Sequence, residues 1–251
     1  MGRRGNPYFH FQQFSIFQDR CAMKVGVDGI LLGAWATATP AKRILDIGTG
    51  TGLIALMLAQ RNAIAKITAI EIDPKASTQA QENFWNSPWS ERLELVNLSF
   101  QDFLRENVHT FDLIVSNPPF FKGQQLEGSR QLAREQSLLT PIEIIKHHPK
   151  LLSKNGRIAL ILPKDLAQQL EQDALALGLQ VQQKTEVRPT PSKNGKRTLL
   201  ELSTNPTSTY INEISIEVQR HQYSDEYKEL TQNFLLKNSP KNQQKHLQAN
   251  T

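Results

Sequence analysis

The sequence predicts an α/β fold, a doubly wound, Rossmann-like domain whose mostly parallel sheet has seven or eight strands and an antiparallel edge. Between residues 43 and 177, apolar strand-like runs alternate with helical segments through five units, the pattern of parallel strands joined by crossover helices. Three more strand-like runs follow at residues 180–187, 197–203 and 211–218, which indicates a mixed edge.

The composition is that of an ordinary soluble chain. Of the 251 residues, 39% are hydrophobic and 21% are charged, and no run of about 18 apolar residues could span a membrane. The N-terminal residues lack the apolar segment of a secretory signal, and the single cysteine, Cys21, is typical of a reducing compartment. We therefore expect a cytoplasmic monomer, whose net charge of +5 permits a polyanionic partner without requiring one.

We predict a flexible N-terminus at residues 1–10, one domain over residues 11–237 and a disordered tail at residues 238–251, which is rich in Asn, Gln and Lys. A helix is expected over residues 30–36, and Asp28 is a suitable N-cap for it. The alternative is that Lys24 and Asp28 face a ligand crevice and contact a charged group.

A glycine-rich turn follows the first predicted strand, Arg43–Ile47, and precedes a helix. Its pattern is D-x-G-x-G-x-G, formed by Asp46, Gly48, Gly50 and Gly52 with Thr49 between them. A dinucleotide fingerprint would need glycine at position 53, where Leu53 stands, so a nicotinamide dehydrogenase is disfavoured. The acid would repel a pyrophosphate but attract a sulfonium or an ammonium, and the glycines allow close backbone approach. The turn therefore predicts S-adenosylmethionine as cofactor.

Acids also follow the next two predicted strands. Glu71 ends the second strand, where a ribose diol is commonly held, and Ile72 beside it could wall the adenine. After a third strand at residues 92–96, Asp102 could accept hydrogen bonds from the cofactor adenine, with Phe103 flanking the ring. The alternative for Asp102 is helix capping.

The fourth strand, Phe111–Ser116, runs into Asn117-Pro118-Pro119-Phe120, and this corner is the strongest chemical signal. Two prolines cannot continue a central strand. The Asn117 side-chain carbonyl and the Pro118 backbone carbonyl could accept both hydrogens of a planar exocyclic amine, which frees its lone pair, while Phe120 stacks on the ring. The corner alone is equally compatible with a turn that buries a phenylalanine.

Two basic stretches are candidates for phosphate contacts. The polar segment after the corner carries Lys122, Arg130 and Arg134, and a predicted hairpin loop at residues 190–196 carries Lys193 and Lys196. Between them we predict a helix from Thr140 to about residue 152, a fifth strand at residues 157–163 and a helix at residues 164–177. A last helix is predicted from residue 223 to about residue 237.

Three of these segments resemble the signatures of class I S-adenosylmethionine-dependent amino-methyltransferases: residues 46–52, residues 71–73 and residues 117–120. The N-terminal run at residues 18–35, together with residues 87–89 and 223–232, is similar to the tRNA1(Val) (adenine-37-N6)-methyltransferase family. The likeness covers residues 9–236. Val27 and Phe120 stand where Thr and Tyr are common in that family, and both keep the shape of the residue they replace.

The resemblance implies that Asp46, Gly48 and Gly50 hold the methionine part of S-adenosylmethionine, that Glu71 holds the ribose and that Asp102 holds the adenine. It also implies that a tRNA adenine, in the anticodon loop of valine tRNA, stacks on Phe120 and is methylated at N6 without a metal. Alternatives stay open. A DNA adenine, the N2 of an rRNA guanine or a glutamine of a protein would use the same corner, and a catalytically idle RNA-binding protein is the alternative from another class.

Overall fold

The computed structural model describes residues 6–119, 139–205 and 208–236. The twelve strands of this part of the chain are β1 (Tyr8–His10), β2 (Ser15–Phe17), β3 (Arg43–Ile47), β4 (Lys66–Ile70), β5 (Leu93–Val96), β6 (Phe111–Ser116), β7 (Leu152–Pro163), β8 (Gln180–Arg188), β9 (Arg197–Ser203), β10 (Tyr210–Ser215), β11 (Glu217–Gln219) and β12 (Gln222–Tyr223). The α-helices are α1 (Val27–Trp35), α2 (Leu53–Arg61), α3 (Pro74–Trp85), α4 (Phe100–Glu106), α5 (Pro141–Lys146), α6 (His148–Leu151), α7 (Lys164–Ala176) and α8 (Asp225–Thr231), and a short 3-10 helix covers Ser90–Arg92.

Eight strands form one sheet in the order β10-β8-β9-β7-β6-β3-β4-β5. The pairs from β5 across to β7 are parallel, as is the pair of β10 with β8, whereas β9 is antiparallel to both β7 and β8. The predicted doubly wound, mostly parallel sheet is confirmed. Its antiparallel strand lies third from one end, and the strand at the margin, β10, is parallel to its neighbour.

Successive side chains of the central strands enter two different cores, one on each face of the sheet. In β3, Ile44 belongs to a core built with α1, α2 and the hairpin of β1 and β2, whereas Leu45 belongs to a core built with α4, α5 and α7. In β6, Leu113 and Ile114 divide in the same way. This alternation, with period two, is what a sheet covered by helices on both faces requires.

Several predicted boundaries were wrong. The helix predicted at residues 140–152 is divided into α5 and α6, because Pro149 has no N–H with which to continue the first helix, and β7 begins at Leu152. The run at residues 211–218 is divided between β10 and β11. Residues 8–10, assigned to a flexible N-terminus, pair with β2 as a strand.

The last helix also ends earlier than predicted, at Thr231. The side-chain amide of Gln12 donates to the carbonyls of Gln232 and Leu235 at 2.6 and 2.7 Å, so two carbonyls beyond the helix receive a partner from the N-terminal segment. Within the described ranges, no helix is long and apolar enough to cross a membrane.

Candidate active site

A cavity of about 660 Å³ lies at the carboxyl ends of β3, β4 and β6. β3 is the point where the order of the parallel strands reverses, with β4 on one side and β6 on the other. Ligands of open α/β sheets bind at this switch point, and the volume suits a small organic molecule. The lining residues are Cys21 to Gly29, Ile47 to Thr51, Leu53, Ile54, Ile70 to Asp73, Ala76, Leu98, Phe100, Gln101, Asn117, Pro119 and Leu139.

The glycine turn forms the floor of this crevice. Gly48 and Gly50 have φ angles of 71° and 59°, in the left-handed region, and a Cβ on either would meet no atom within 4 Å. The backbone N–H groups of Gly48 and Thr49 donate to the carbonyl of Ile70 at 2.9 and 3.0 Å, so the turn is held against the end of β4. The backbone surface is thus fixed in position and open to a ligand.

Gly52, predicted with the others to contact the cofactor, has a different role. It is the N-cap of α2 with a φ of 85°, and it does not line the cavity. A Cβ on Gly52 would lie 2.5 Å from the ring of Phe84 in α3. The absence of a Cβ at this position therefore allows the close packing of α2 on α3.

Glu71 stands at the crevice just after β4 and is oriented by two backbone donors. Its Oε2 accepts a hydrogen bond from Gly50 N–H and its Oε1 accepts one from Asp73 N–H, both at 2.9 Å. The exposed side chain of Ile72 lies beside it and lines the same cavity. The structure therefore brings an oriented carboxylate and an apolar wall together, where the sequence predicted them.

Asp46 is fully buried and does not line the cavity. Its Oδ2 accepts hydrogen bonds from Thr49 Oγ1 at 2.6 Å and from Ala55 N–H at 3.2 Å, while its Oδ1 has no partner among the described residues. Burial raises the pKa of Asp46 to about 7, and the Thr49 and Ala55 hydrogen bonds lower it only in part. Asp46 thus supports the glycine turn from beneath.

The corner after β6 faces the glycine turn across the crevice. Ser116 Oγ donates to the carbonyl of Ile47 at 2.8 Å, which joins the ends of β6 and β3. Asn117 and Pro119 line the cavity, whereas Pro118 is buried. The side chain of Asn117 makes no hydrogen bond to another described residue. Phe120 lies outside the described residues.

The wall opposite the sheet is formed by residues 21–29, and Lys24 and Asp28 both line the cavity. The predicted N-cap role of Asp28 was wrong. α1 begins at Val27, three residues before the predicted start, with Gly26 as its N-cap, which places Asp28 inside the first turn. There its carboxylate accepts a hydrogen bond from Arg197 Nε at 2.8 Å.

Asp102 and Phe103 are not among the residues that line the cavity, and their contact with the adenine stays a prediction. Asp102 Oδ2 accepts a hydrogen bond from Ser99 Oγ at 2.6 Å, and Asp102 Oδ1 pairs with Arg105 at 2.7 Å. Phe103 is buried in a hydrophobic core. Ser99 is the N-cap of α4, and the spacing of Ser99 and Asp102 is that of a capping pair. The Ser99–Asp102 spacing therefore agrees with helix capping, the alternative role of Asp102. In this region Leu98, Phe100 and Gln101 line the cavity.

The basic hairpin loop lies at the same edge of the sheet as the crevice. β8 runs in the direction of β7 because both are antiparallel to β9, so its carboxyl end and the loop at residues 189–196 are at the edge where β3 and β6 end. Lys193 and Lys196 are exposed on this loop. Lys122, Arg130 and Arg134, predicted as phosphate contacts, lie outside the described residues. Arg197 was not identified from the sequence, because its partner Asp28 is 169 positions away in the chain.

The described part of the site offers oxygen acceptors, open backbone and an apolar wall, and it contains no group of three metal-ligating side chains. Such an arrangement can orient and polarise ligands electrostatically. Together, the fold and the glycine-lined crevice facing an Asn-Pro-Pro corner define a class I methyltransferase.

Comparison with known proteins narrows this class. Residues 28–185 match the methyltransferase small domain family. Two relatives are named tRNA1(Val) (adenine(37)-N6)-methyltransferase, and each is 45% identical to this chain. The protein from Trichodesmium erythraeum aligns over 93% of this chain and 99% of its own length. The protein from Bacteroides thetaiotaomicron aligns over 92% of this chain and 98% of its own length. The chain belongs to the tRNA1(Val) (adenine(37)-N6)-methyltransferase family.

The fold is shared more widely. The crystal structure of an Agrobacterium tumefaciens protein, described as a predicted O-methyltransferase, superimposes with a TM-score of 0.59 at 17% identity over 82% of this chain and 96% of that one. At this level of identity the likeness concerns the fold alone.

Proposed function

We propose that this protein, acting in the cytoplasm as a monomer, transfers a methyl group from S-adenosylmethionine to N6 of adenine-37 in the anticodon loop of tRNA1(Val). The observation that carries the proposal is the position of Asn117 at the crevice, opposite a glycine turn and the Glu71 carboxylate. The names of relatives that are 45% identical over nearly the whole chain support the choice of RNA and nucleotide.

The residues of the crevice fit S-adenosylmethionine. Gly48, Thr49 and Gly50 present open backbone to the amino-acid part, and the carboxylate of Glu71 suits the two ribose hydroxyls. Lys24 lines the cavity as a donor for a ligand carboxylate, and Ile72 offers an apolar face to the adenine. Asp46, beneath the turn, adds negative potential toward a cationic ligand when it is ionised, above its pKa of about 7.

When bound, S-adenosylmethionine supplies an electrophilic methyl group on a cationic sulfur. The task of the chain is to make the exocyclic amine of adenine a better nucleophile, because its lone pair is delocalised into the ring. The side-chain carbonyl of Asn117 and the backbone carbonyl of Pro118 accept the two N6 hydrogens, which favours a tetrahedral nitrogen with a free lone pair. Attack by N6 on this methyl group would leave the bonding electron pair on sulfur, giving a neutral thioether product, and the surplus N6 proton would pass to water.

The described part of the site has no strong base, so we expect positioning to supply most of the rate. A target base in a single-stranded loop costs only a few kcal/mol to unstack. Phe120 is proposed to stack on that base, and Lys122, Arg130, Arg134, Lys193 and Lys196 are proposed to contact phosphates around it. Of these, Lys193 and Lys196 stand exposed at the edge of the sheet that holds the crevice.

The decisive experiment measures transfer of labelled methyl groups to tRNA from a strain that lacks this protein, followed by nucleoside analysis and mapping of the modified position. We expect N6-methyladenosine at position 37 of tRNA1(Val). The Asn117→Ala variant should lose about 100- to 1,000-fold in rate, the typical effect of removing one polar group that stabilises charge in a transition state.

Asn107→Ala is a matched control, because Asn107 is an asparagine at the end of α4 that does not line the crevice. Its activity should equal that of the wild type. Product on DNA, rRNA or a protein glutamine, with none on tRNA, would keep the methyltransferase and overturn the substrate. Cofactor binding without transfer to any of these would favour an idle RNA-binding protein.

A further inference from the structure

The wall of the crevice before α1 has little regular structure of its own. Residues 21–26 belong to no helix or strand, yet all of them line the cavity. At this segment, Gln18 Oε1 accepts a hydrogen bond from Val25 N–H at 2.8 Å. Beyond it, Asp28 in the first turn of α1 pairs with Arg197. The position of the wall therefore depends on a few side-chain contacts.

The Asp28–Arg197 pair is the long-range contact among these. Arg197 Nε donates to Asp28 Oδ2 at 2.8 Å, and the two side chains are 32% and 25% exposed. A charge-assisted hydrogen bond that is largely shielded from water is stronger than one on an open surface. The bond joins the wall to the first residue of β9, across the end of the sheet.

Arg197 directly follows the basic loop, and that loop is braced on the sheet. Lys196 N–H donates to the carbonyl of Val187 at 3.1 Å, and Lys196 O accepts from Lys164 N–H at 3.3 Å. Gly195 packs so closely on Glu186 that a Cβ would lie 2.3 Å from its Oε1. The carboxylate of Glu186 is itself held by Lys164 Nζ at 2.8 Å. The position of Arg197 is therefore coupled to that of the loop.

We infer that Arg197 is a positioning residue: through Asp28 it holds the crevice wall at a fixed distance from the RNA-binding loop, so that the target base of a bound RNA meets Asn117. The inference rests on the proposed function. It assigns Arg197 no contact with the reacting atoms. Its consequence is a division of labour, in which the loop lysines determine RNA affinity and the Asp28–Arg197 pair determines the rate of the bound complex.

The test is steady-state methylation of tRNA by the full chain, with kcat and the KM for tRNA measured separately. Arg197→Ala should lower kcat about 10- to 100-fold, since small misplacements of reacting groups have effects of this size, while the KM for tRNA changes by less than about threefold. Arg197→Lys should recover most of the lost rate because it can still pair with Asp28. The double variant Arg197→Ala, Asp28→Asn should be no slower than the slower single variant.

Lys184→Ala is the matched control. It removes an ion pair of 2.6 Å between Lys184 and Glu171, whose side chains are 25% and 24% exposed, similar to those of Arg197 and Asp28. Because neither residue lines the crevice, kcat should not change. If Arg197→Ala fails to bind S-adenosylmethionine in calorimetry, the inference is tested by comparing the kcat of Arg197→Lys with that of Arg197→Gln. Arg197→Lys should be the faster variant, because only lysine can form the ion pair with Asp28.

A kcat for Arg197→Ala within about twofold of the wild type would falsify the inference, as would equal rates for Arg197→Lys and Arg197→Gln or multiplying losses in the double variant. If the wild-type protein methylates tRNA and Arg197→Ala has the same kcat, the inference is overturned and the proposed function stands. A wild-type protein that binds the cofactor and methylates no tRNA overturns the proposed function and the inference together.

Discussion

Glu71 and Gly50 are joined by a hydrogen bond of 2.9 Å, from the backbone N–H of the glycine to Oε2 of the carboxylate. The bond ties the end of β4 to the turn that follows β3, so the two cofactor-binding segments of the proposed site form one rigid unit. Asp73 N–H fixes the other oxygen at the same distance. Each carboxylate oxygen keeps acceptor capacity for a further donor, such as a ribose hydroxyl.

Removal of this carboxylate should weaken the binding of S-adenosylmethionine. For Glu71→Ala we expect the dissociation constant to rise about 10- to 100-fold, because hydrogen bonds to charged groups contribute about 1.5–3 kcal/mol each. Isothermal calorimetry measures the change directly. Glu94→Ala is a suitable control, because Glu94 is exposed on β5 and does not line the crevice. Equal affinities in the two variants would contradict ribose binding by Glu71.

The stability of the cofactor-free protein should fall as the pH rises through 7, because of Asp46. Burial raises the pKa of Asp46 from 3.8 to about 7 in the folded state. Between about pH 4 and pH 7 the folded chain therefore holds a proton that the unfolded chain has released. The resulting stabilisation is fully present below about pH 4 and disappears as the pH rises through 7, with a magnitude of about 4 kcal/mol at most.

Asp46→Asn should remove this pH dependence. The side-chain oxygen of an asparagine can accept the hydrogen bonds of Thr49 and Ala55. The amide group is neutral at every pH in this range, whereas the buried carboxylate becomes charged. Thermal unfolding from about pH 5 to pH 8 should show the variant gaining on the wild type as the pH rises. Unfolding curves that stay parallel over that range would rule out Asp46 as the titrating group.

The sequence predicted those parts of the site that follow from local patterns. The glycine turn, Glu71 and the Asn117 corner each occur where a strand ends, and parallel strands bring their carboxyl ends to one edge. The Asp28–Arg197 pair was beyond this reasoning, because it depends on how β9 enters the sheet between β7 and β8. The capping role of Asp102, which the sequence offered as an alternative, agrees with its position in the first turn of α4 and its pairs with Ser99 and Arg105.

Lys193 and Lys196 should affect RNA affinity and leave catalysis of the bound complex intact. Each substitution to alanine should raise the KM for tRNA, and the salt dependence of binding should fall by about one unit of slope for each phosphate that the loop no longer neutralises. kcat at saturating tRNA should not change. Lys66→Ala is the control, because Lys66 is exposed at the amino end of β4, at the opposite edge of the sheet. A lysine pair whose removal leaves the salt slope unchanged does not bind phosphate.

Gly50→Ala should abolish the binding of S-adenosylmethionine, and its moderate loss of stability should not be the cause. The φ of 59° strains an alanine, by about 1–2 kcal/mol, and the new methyl group would enter the open space over the turn, where the ligand must lie. Gly178→Ala separates the two effects. Gly178 has a φ of 79° and equally open surroundings, but it follows α7 and does not line the crevice. Both variants should unfold at similarly lowered temperatures, and only Gly50→Ala should lose the cofactor in calorimetry. If Gly178→Ala also failed to bind it, backbone strain rather than the occupied space would be the cause.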